Sequence, residues 1–103
     1  MSGQPAGAKD KAAAQIYVTG RVQGVGYRFF AERLAAELSV TGWTMNLPDG
    51  RVMLEVEGER ARLEKFVGGL KVGPRMAVVS EVLVSWMPFQ GRHQEFFIKF
   101  WRA

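Results

Sequence analysis

The sequence predicts an α+β sandwich: one five-stranded antiparallel sheet with two helices on one face. Three observations point there. The apolar residues switch between a two-residue and a 3.6-residue period in the order β-α-β-β-α-β, with one more strand at the end. Pro48-Asp49-Gly50 is a tight turn, so the strands on either side of it pair as a hairpin and the middle of the sheet is antiparallel. The chain has 103 residues, which makes a single domain with one core the default.

Each element follows from its own pattern. Gln15 to Thr19 is β-branched and aromatic, with Ile16 and Val18 on one face, and reads as a strand. Tyr27, Ala31, Leu34, Ala35 and Leu38 then recur at helical spacing, with Glu32, Arg33 and Glu37 opposite, so a helix starts near Arg28. Thr41 to Leu47 is the second strand. Arg51 to Glu57 alternates as the third, with Val52, Leu54 and Val56 facing in, Glu55 and Glu57 facing out, and Gly58 expected to break it. Leu63, Phe66, Val67 and Leu70 form one stripe of a second helix, which Gly73-Pro74 ends. Val78 to Met87 is the fourth strand, with Val82, Val84 and Trp86 on one face. Pro88 to Gln94 is a loop, and Glu95 to Trp101 is the fifth strand, with Phe96, Ile98 and Phe100 on one face. This order is that of a ferredoxin-like sandwich. Residues 1–14 read as a disordered leader and 15–103 as the domain.

Composition removes several function classes. There is no cysteine, so there is no disulfide framework, no thiolate chemistry and no cysteine zinc site. That suits a reducing cytoplasm, the expected location. No apolar run approaches the ~20 residues that span a bilayer, and the N-terminus lacks the apolar core of a signal peptide. No membrane partner is expected. The net charge is +4, but the basic residues are scattered, so most of this charge serves solubility. No His/Asp/Glu cluster has metal-ligand spacing, and neither a metal nor a cofactor is expected. The lone histidine, His93, sits in a loop and reads as solvated.

One stretch stands apart. Gly20-Arg21-Val22-Gln23-Gly24-Val25-Gly26-Tyr27-Arg28 places three glycines and two arginines between the first strand and the first helix. A helix N-terminus offers unpaired N–H groups and the positive end of a dipole. Gly24 and Gly26 let the backbone turn those N–H groups inward, and Arg28 adds a planar fork for two oxygens of a phosphate. The loop is not a dinucleotide fingerprint, because Phe29 stands where the third glycine belongs. It is not a Walker loop, because Tyr27 follows Gly26. A plainer reading competes: the glycines only shape a turn, and Arg28 pairs with Glu32 one helical turn on.

The same residues carry a resemblance. Gly20 to Arg28 resembles the signature of the acylphosphatase family, as do Gly42-Trp43-Thr44-Met45-Asn46 with Asp49-Gly50, then Gly73-Pro74 and Phe97-Ile98. It covers the chain from about Ile16 to Trp101. It implies a ferredoxin-like sandwich and the hydrolysis of acyl phosphates to carboxylate and inorganic phosphate, with no cofactor. It also implies roles. Arg28 corresponds to the phosphate-binding arginine and Asn46 to the asparagine that positions the attacking water. Gln23, Gly24, Val25, Gly26 and Tyr27 join Arg28 as the substrate-binding loop. Two positions depart from the family pattern. Thr44-Met45 stand where a basic residue usually precedes the asparagine, and Ser39-Val40 replace the glycine that usually ends the first helix.

So small a set is chemically sufficient. An acyl phosphate is activated, and its carboxylate leaves without a proton at neutral pH. Phosphoryl transfer asks the protein mainly for positioning and charge stabilisation. Asn46 would orient the water by a hydrogen bond, and a phosphoryl oxygen of the substrate could take the proton. Asp49 is better explained by turn chemistry. Two rivals share the fold. A nucleic-acid binder would stack bases on strand aromatics such as Tyr17, but the third strand lacks the aromatic octapeptide and is acidic outward. A phosphate-binding module without turnover would use the same loop. The expected protein is a monomeric enzyme acting on a small acyl phosphate, with no nucleic-acid partner.

Overall fold

The computed structural model describes residues 10–102. Its elements are β1 (Lys11–Arg21), α1 (Tyr27–Leu38), β2 (Thr41–Asn46), β3 (Val52–Glu59), α2 (Arg60–Val72), β4 (Val78–Pro88) and β5 (Phe96–Lys99). Strand β1 opens at Lys11, and Ala12, Ala13 and Ala14 are buried in it. The expected leader therefore loses its last four residues to the sheet, where Ala12 to Ala14 pair with Val56 to Gly58. Its portion over residues 1–9 lies outside the described residues.

The sheet order is β4-β1-β3-β2-β5. The first four strands pair antiparallel throughout. The fifth corrects the expectation of a purely antiparallel sheet: β5 lies parallel to β2, with Gly42 opposite Phe96 and Met45 opposite Lys99. The reason is geometric. Strands β1 and β2 are both antiparallel to β3, so they share a direction, and β4 opposes it. The chain reverses after β4, crosses the sheet and docks beside β2, where the reversed direction is the parallel one. Strand β5 is also shorter than the Glu95–Trp101 span that alternation suggested.

Both helices pack on one face. Val52, Leu54 and Val56 of β3 meet Ile16 and Val18 of β1, Ala31 and Ala35 of α1, and Leu63, Phe66 and Leu70 of α2 in one buried cluster. Phe66 reaches the ring of Phe96 edge-on at 6.1 Å, which ties β5 to the core. Such a ring pair contributes about 0.5–1.5 kcal/mol beyond the area it buries.

The other face of the sheet is crossed by residues 89–95. Glu57, expected to face solvent, is only 2% exposed beneath this crossing. It accepts the main-chain N–H of Gln90 and of His93, each at 3.0 Å. Burial pushes its carboxyl pKa up, but the N–H groups of Gln90, His93 and Arg92 outweigh that and hold it below its ordinary value. His93 is not the solvated loop residue that sequence suggested: its Nε2 lies 2.8 Å from Glu55 Oε2. Gly58 does not break β3, which runs on to Glu59. The N–H of Gly42 donates to the Glu95 carbonyl at 2.9 Å and seats the crossing against β2.

Candidate active site

Arg21 closes β1 and Tyr27 opens α1, so the glycine loop is held at both ends by secondary structure. Gly24 has φ 72° and Gly26, the helix N-cap, has φ 79° and ψ 19°. Both lie in the left-handed region, where a side chain would cost about 1–2 kcal/mol. This turn leaves donors free. The first helical bond is that of Phe30 to the Gly26 carbonyl. Among the described residues, no main-chain N–H from Gln23 to Phe29 is paired with another main-chain group. The helix has no side-chain cap and no acidic residue in its first turn, so its positive end is uncompensated.

Tyr27 anchors the cradle from below. Its ring is buried and its hydroxyl donates to the Leu70 carbonyl at 2.7 Å, clamping the start of α1 to the end of α2. Burial pushes its phenol pKa well up, so it stays neutral. Its phenol is committed to the core. Val25 likewise packs against the core. For these two residues, what remains for a ligand is the main-chain N–H.

Val22, Gly24, Gly26, Tyr27, Arg28, Phe29 and Asn46 line a cleft of about 170 Å³. The fold thus brings Arg28 and Asn46 together from the start of α1 and the end of β2. Arg28 is half-buried and forms no ion pair among the described residues; the pairing with Glu32 does not occur. Its guanidinium carbon instead lies 5.3 Å from the centre of the Phe100 ring. A cation with no internal carboxylate is available to an external anion. Among the described residues, Asn46 shows no hydrogen bond to its amide, and its Oδ1 is fully buried without a donor. Rotating the amide by a half-turn exchanges its oxygen and nitrogen at the cleft. Thr44 Oγ1, two residues back on the same face of β2, is buried and unpaired as well. Unspent polar atoms of this kind in a native core call for a functional or strain-related reason.

The side chain of Gln23 is committed to the neighbouring turn, while its main-chain N–H pairs with no main-chain group among the described residues. Its side-chain Nε2 donates to the Leu47 carbonyl at 2.8 Å and to the Arg51 carbonyl at 3.0 Å. Both amide hydrogens are spent on the β2–β3 turn, and the side chain does not line the cleft. Gln23 therefore braces the loop against the residue that follows Asn46. Nothing in the sequence marks this, because the acceptors are main-chain carbonyls 24 and 28 residues away. Asp49 behaves as turn chemistry requires: it accepts the Arg51 N–H at 3.0 Å and its guanidinium Nε at 2.8 Å. Arg21 is exposed and outside the cleft.

Among the described residues, no helix is long and apolar enough to cross a membrane. Nor do any three His, Cys, Asp or Glu residues there converge as metal ligands.

Comparison with known proteins bears on this geometry. The sequence model of the acylphosphatase family matches residues 14–98. An acylphosphatase of Methanococcoides burtonii is 40% identical over 90 residues, covering 87% of this chain and 94% of its own. An acylphosphatase of Thermus thermophilus is 55% identical over 69 residues, 67% of this chain and 78% of its own. The crystal structure of acylphosphatase from Bacillus subtilis superposes with a TM-score of 0.83 at 35% identity, covering 85% of this chain and 98% of that one.

Proposed function

The chain belongs to the acylphosphatase family, and we propose that the Gly20–Arg28 loop, Arg28 and Asn46 are the working parts of its hydrolytic site. The reaction is R–CO–O–PO₃²⁻ + H₂O → R–COO⁻ + H₂PO₄⁻. One observation carries the assignment of residues: unpaired loop N–H groups, an arginine without a carboxylate and an asparagine without a partner share one cleft.

The roles follow from chemistry. The N–H groups of the loop and the Arg28 fork hold the phosphoryl oxygens, where charge is concentrated in the transition state. The helix dipole acts in the same direction. Asn46 turns its amide to the cleft and fixes a water in line with the P–O bond to be broken. The water oxygen bonds to phosphorus, the P–O bond to the acyl group breaks, and the electron pair leaves on the carboxylate. The proton passes to a phosphoryl oxygen, so no protein base is needed. Gln23 keeps the two halves of the site in register, and Tyr27 holds the cradle to the helical layer.

The reading extends to the molecule's setting: a monomer working in a reducing cytoplasm on small acyl phosphates, not on nucleic acid, with the domain running from Lys11. The lack of cysteine and the scattered basic charge support it.

The test is benzoyl phosphate hydrolysis with a metal chelator present, together with inhibition by inorganic phosphate. Asn46→Ala should lower kcat by about 10²–10³, the scale of one positioned polar group, and leave phosphate inhibition intact. Arg28→Ala should lose both. Equal loss of phosphate inhibition in the two variants would overturn this division of labour.

A further inference from the structure

We propose that Phe29 and Phe100 form an acyl-group subsite beside Arg28, and that it favours acyl phosphates whose acyl part is aromatic or bulky and apolar. This rests on the phosphate-cradle reading above.

The cleft is polar where the loop N–H groups, Arg28 and Asn46 meet, but its rim is not. Phe29 lines the cleft and is 65% exposed. It lies off the apolar stripe by which α1 packs on the sheet, whose buried members are Tyr27, Ala31 and Ala35. Its ring meets no other ring among the described residues, whereas its neighbours Tyr27 and Phe30 pair at 6.0 Å. Nothing in the core accounts for a phenylalanine there. Phe100, just past β5, is 71% exposed, and its ring lies against the Arg28 guanidinium. Two solvent-facing phenylalanines thus stand beside the one arginine of the cleft.

An acyl phosphate matches this layout. It is a dianionic head joined to an apolar tail through one bridging oxygen. With the head in the cradle, the carbonyl and tail emerge at the rim. An aromatic tail can cover Phe29 in an offset or edge-on stack, and both surfaces leave water. A methyl tail has too little surface to do so. The Phe100 ring also shields one face of the guanidinium from water, which strengthens its hold on the phosphoryl group.

The test compares kcat/KM for benzoyl phosphate and acetyl phosphate in the wild type, Phe29→Ala, Phe100→Ala, the double variant and Phe29→Leu. Each variant is checked for thermal stability and for inhibition by inorganic phosphate. Comparing each variant with the wild type cancels the different intrinsic reactivities of the two substrates. The benzoyl-to-acetyl ratio should fall about tenfold in Phe29→Ala, further in the double variant, and less in Phe29→Leu, which keeps an apolar wall. Phosphate inhibition should stay unchanged in the Phe29 variants and weaken in Phe100→Ala, which strips the ring from Arg28. A ratio that holds constant in every variant would overturn the subsite, and so would equal losses for both substrates, which would mean that the rings only shape the cradle. If the wild type hydrolysed neither compound yet still bound phosphate, the hydrolytic reading would fall and this one with it.

Discussion

Replacing Gln23 with Met separates a brace from a ligand. Methionine keeps the length and bulk of the side chain but donates no hydrogen bond. The two bonds it loses go to the Leu47 and Arg51 carbonyls. Neither carbonyl is orphaned by the change. Leu47 O still accepts the Gly50 N–H at 3.1 Å, and Arg51 O still accepts the Leu47 N–H at 2.8 Å. The cost is therefore the net worth of two neutral hydrogen bonds, about 1 kcal/mol each, without the larger penalty of a buried unsatisfied group. For a domain of this size a loss of about 2 kcal/mol lowers Tm by about 8–16 °C. Function should fail in a particular way. The loop keeps its N–H groups and Arg28, so inorganic phosphate should inhibit as before. Asn46 loses its fixed distance from the cradle, and kcat should fall by up to about 10²-fold, the scale of a 1 Å misplacement. Thermal denaturation and steady-state hydrolysis of benzoyl phosphate measure both. A variant with unchanged Tm and weakened phosphate inhibition would refute the bracing role and return Gln23 to the binding surface.

Ser39 ends α1 with φ 56° and ψ 43°, a left-handed conformation that an exposed serine holds at a cost. Ser39→Gly should relieve about 1–2 kcal/mol of strain, of which the greater freedom of glycine in the unfolded chain returns about 0.5–1. The net gain of about 0.5–1 kcal/mol would show as a higher denaturant midpoint; a lower one would refute the strain. Glu57 titrates below its ordinary value of 4.5 in the folded protein, so the folded state binds fewer protons than the unfolded state in acid. Its stabilising effect is complete above that value and drains away as pH falls through the lower folded one. Glu57→Gln should cost about 1.5–3 kcal/mol at neutral pH, the worth of a charge-assisted bond, and should flatten the loss of stability as pH falls below about 5. Parallel acid limbs in variant and wild type would refute the linkage.

Much of the fold was legible because it is written locally. The alternation of Val52, Leu54 and Val56, and the stripe of Leu63, Phe66, Val67 and Leu70, report one element's own burial. The direction of β5 was not legible. Its alternation is the same beside either neighbour, and only the crossing of residues 89–95 to the β2 edge makes it parallel. Glu57 was misread for the same reason: its alternation places it on the face away from the helices, but not beneath another segment. At the site, Arg28 and the glycines announce themselves as a cluster. Asn46 does not; on the residues alone it is a strand-end asparagine, and only the resemblance to a family singled it out. Phe29 was noticed only as a missing glycine, because a phenylalanine at a helix start says nothing about its exposure.

The short final strand has a consequence for how the molecule opens. Strand β5 holds four residues, pairs on one side only and is half exposed along its length. The other four strands pair among themselves and keep their core when it leaves. Strand β5 is the shortest and lies at the sheet edge, so local opening is expected to begin there. Phe100 travels with it, and undocking strips the ring from Arg28 while the N–H cradle stays folded. The N–H groups that face the phosphoryl head thus sit between β1 and α1, whereas the ring against Arg28 is carried just past the shortest strand.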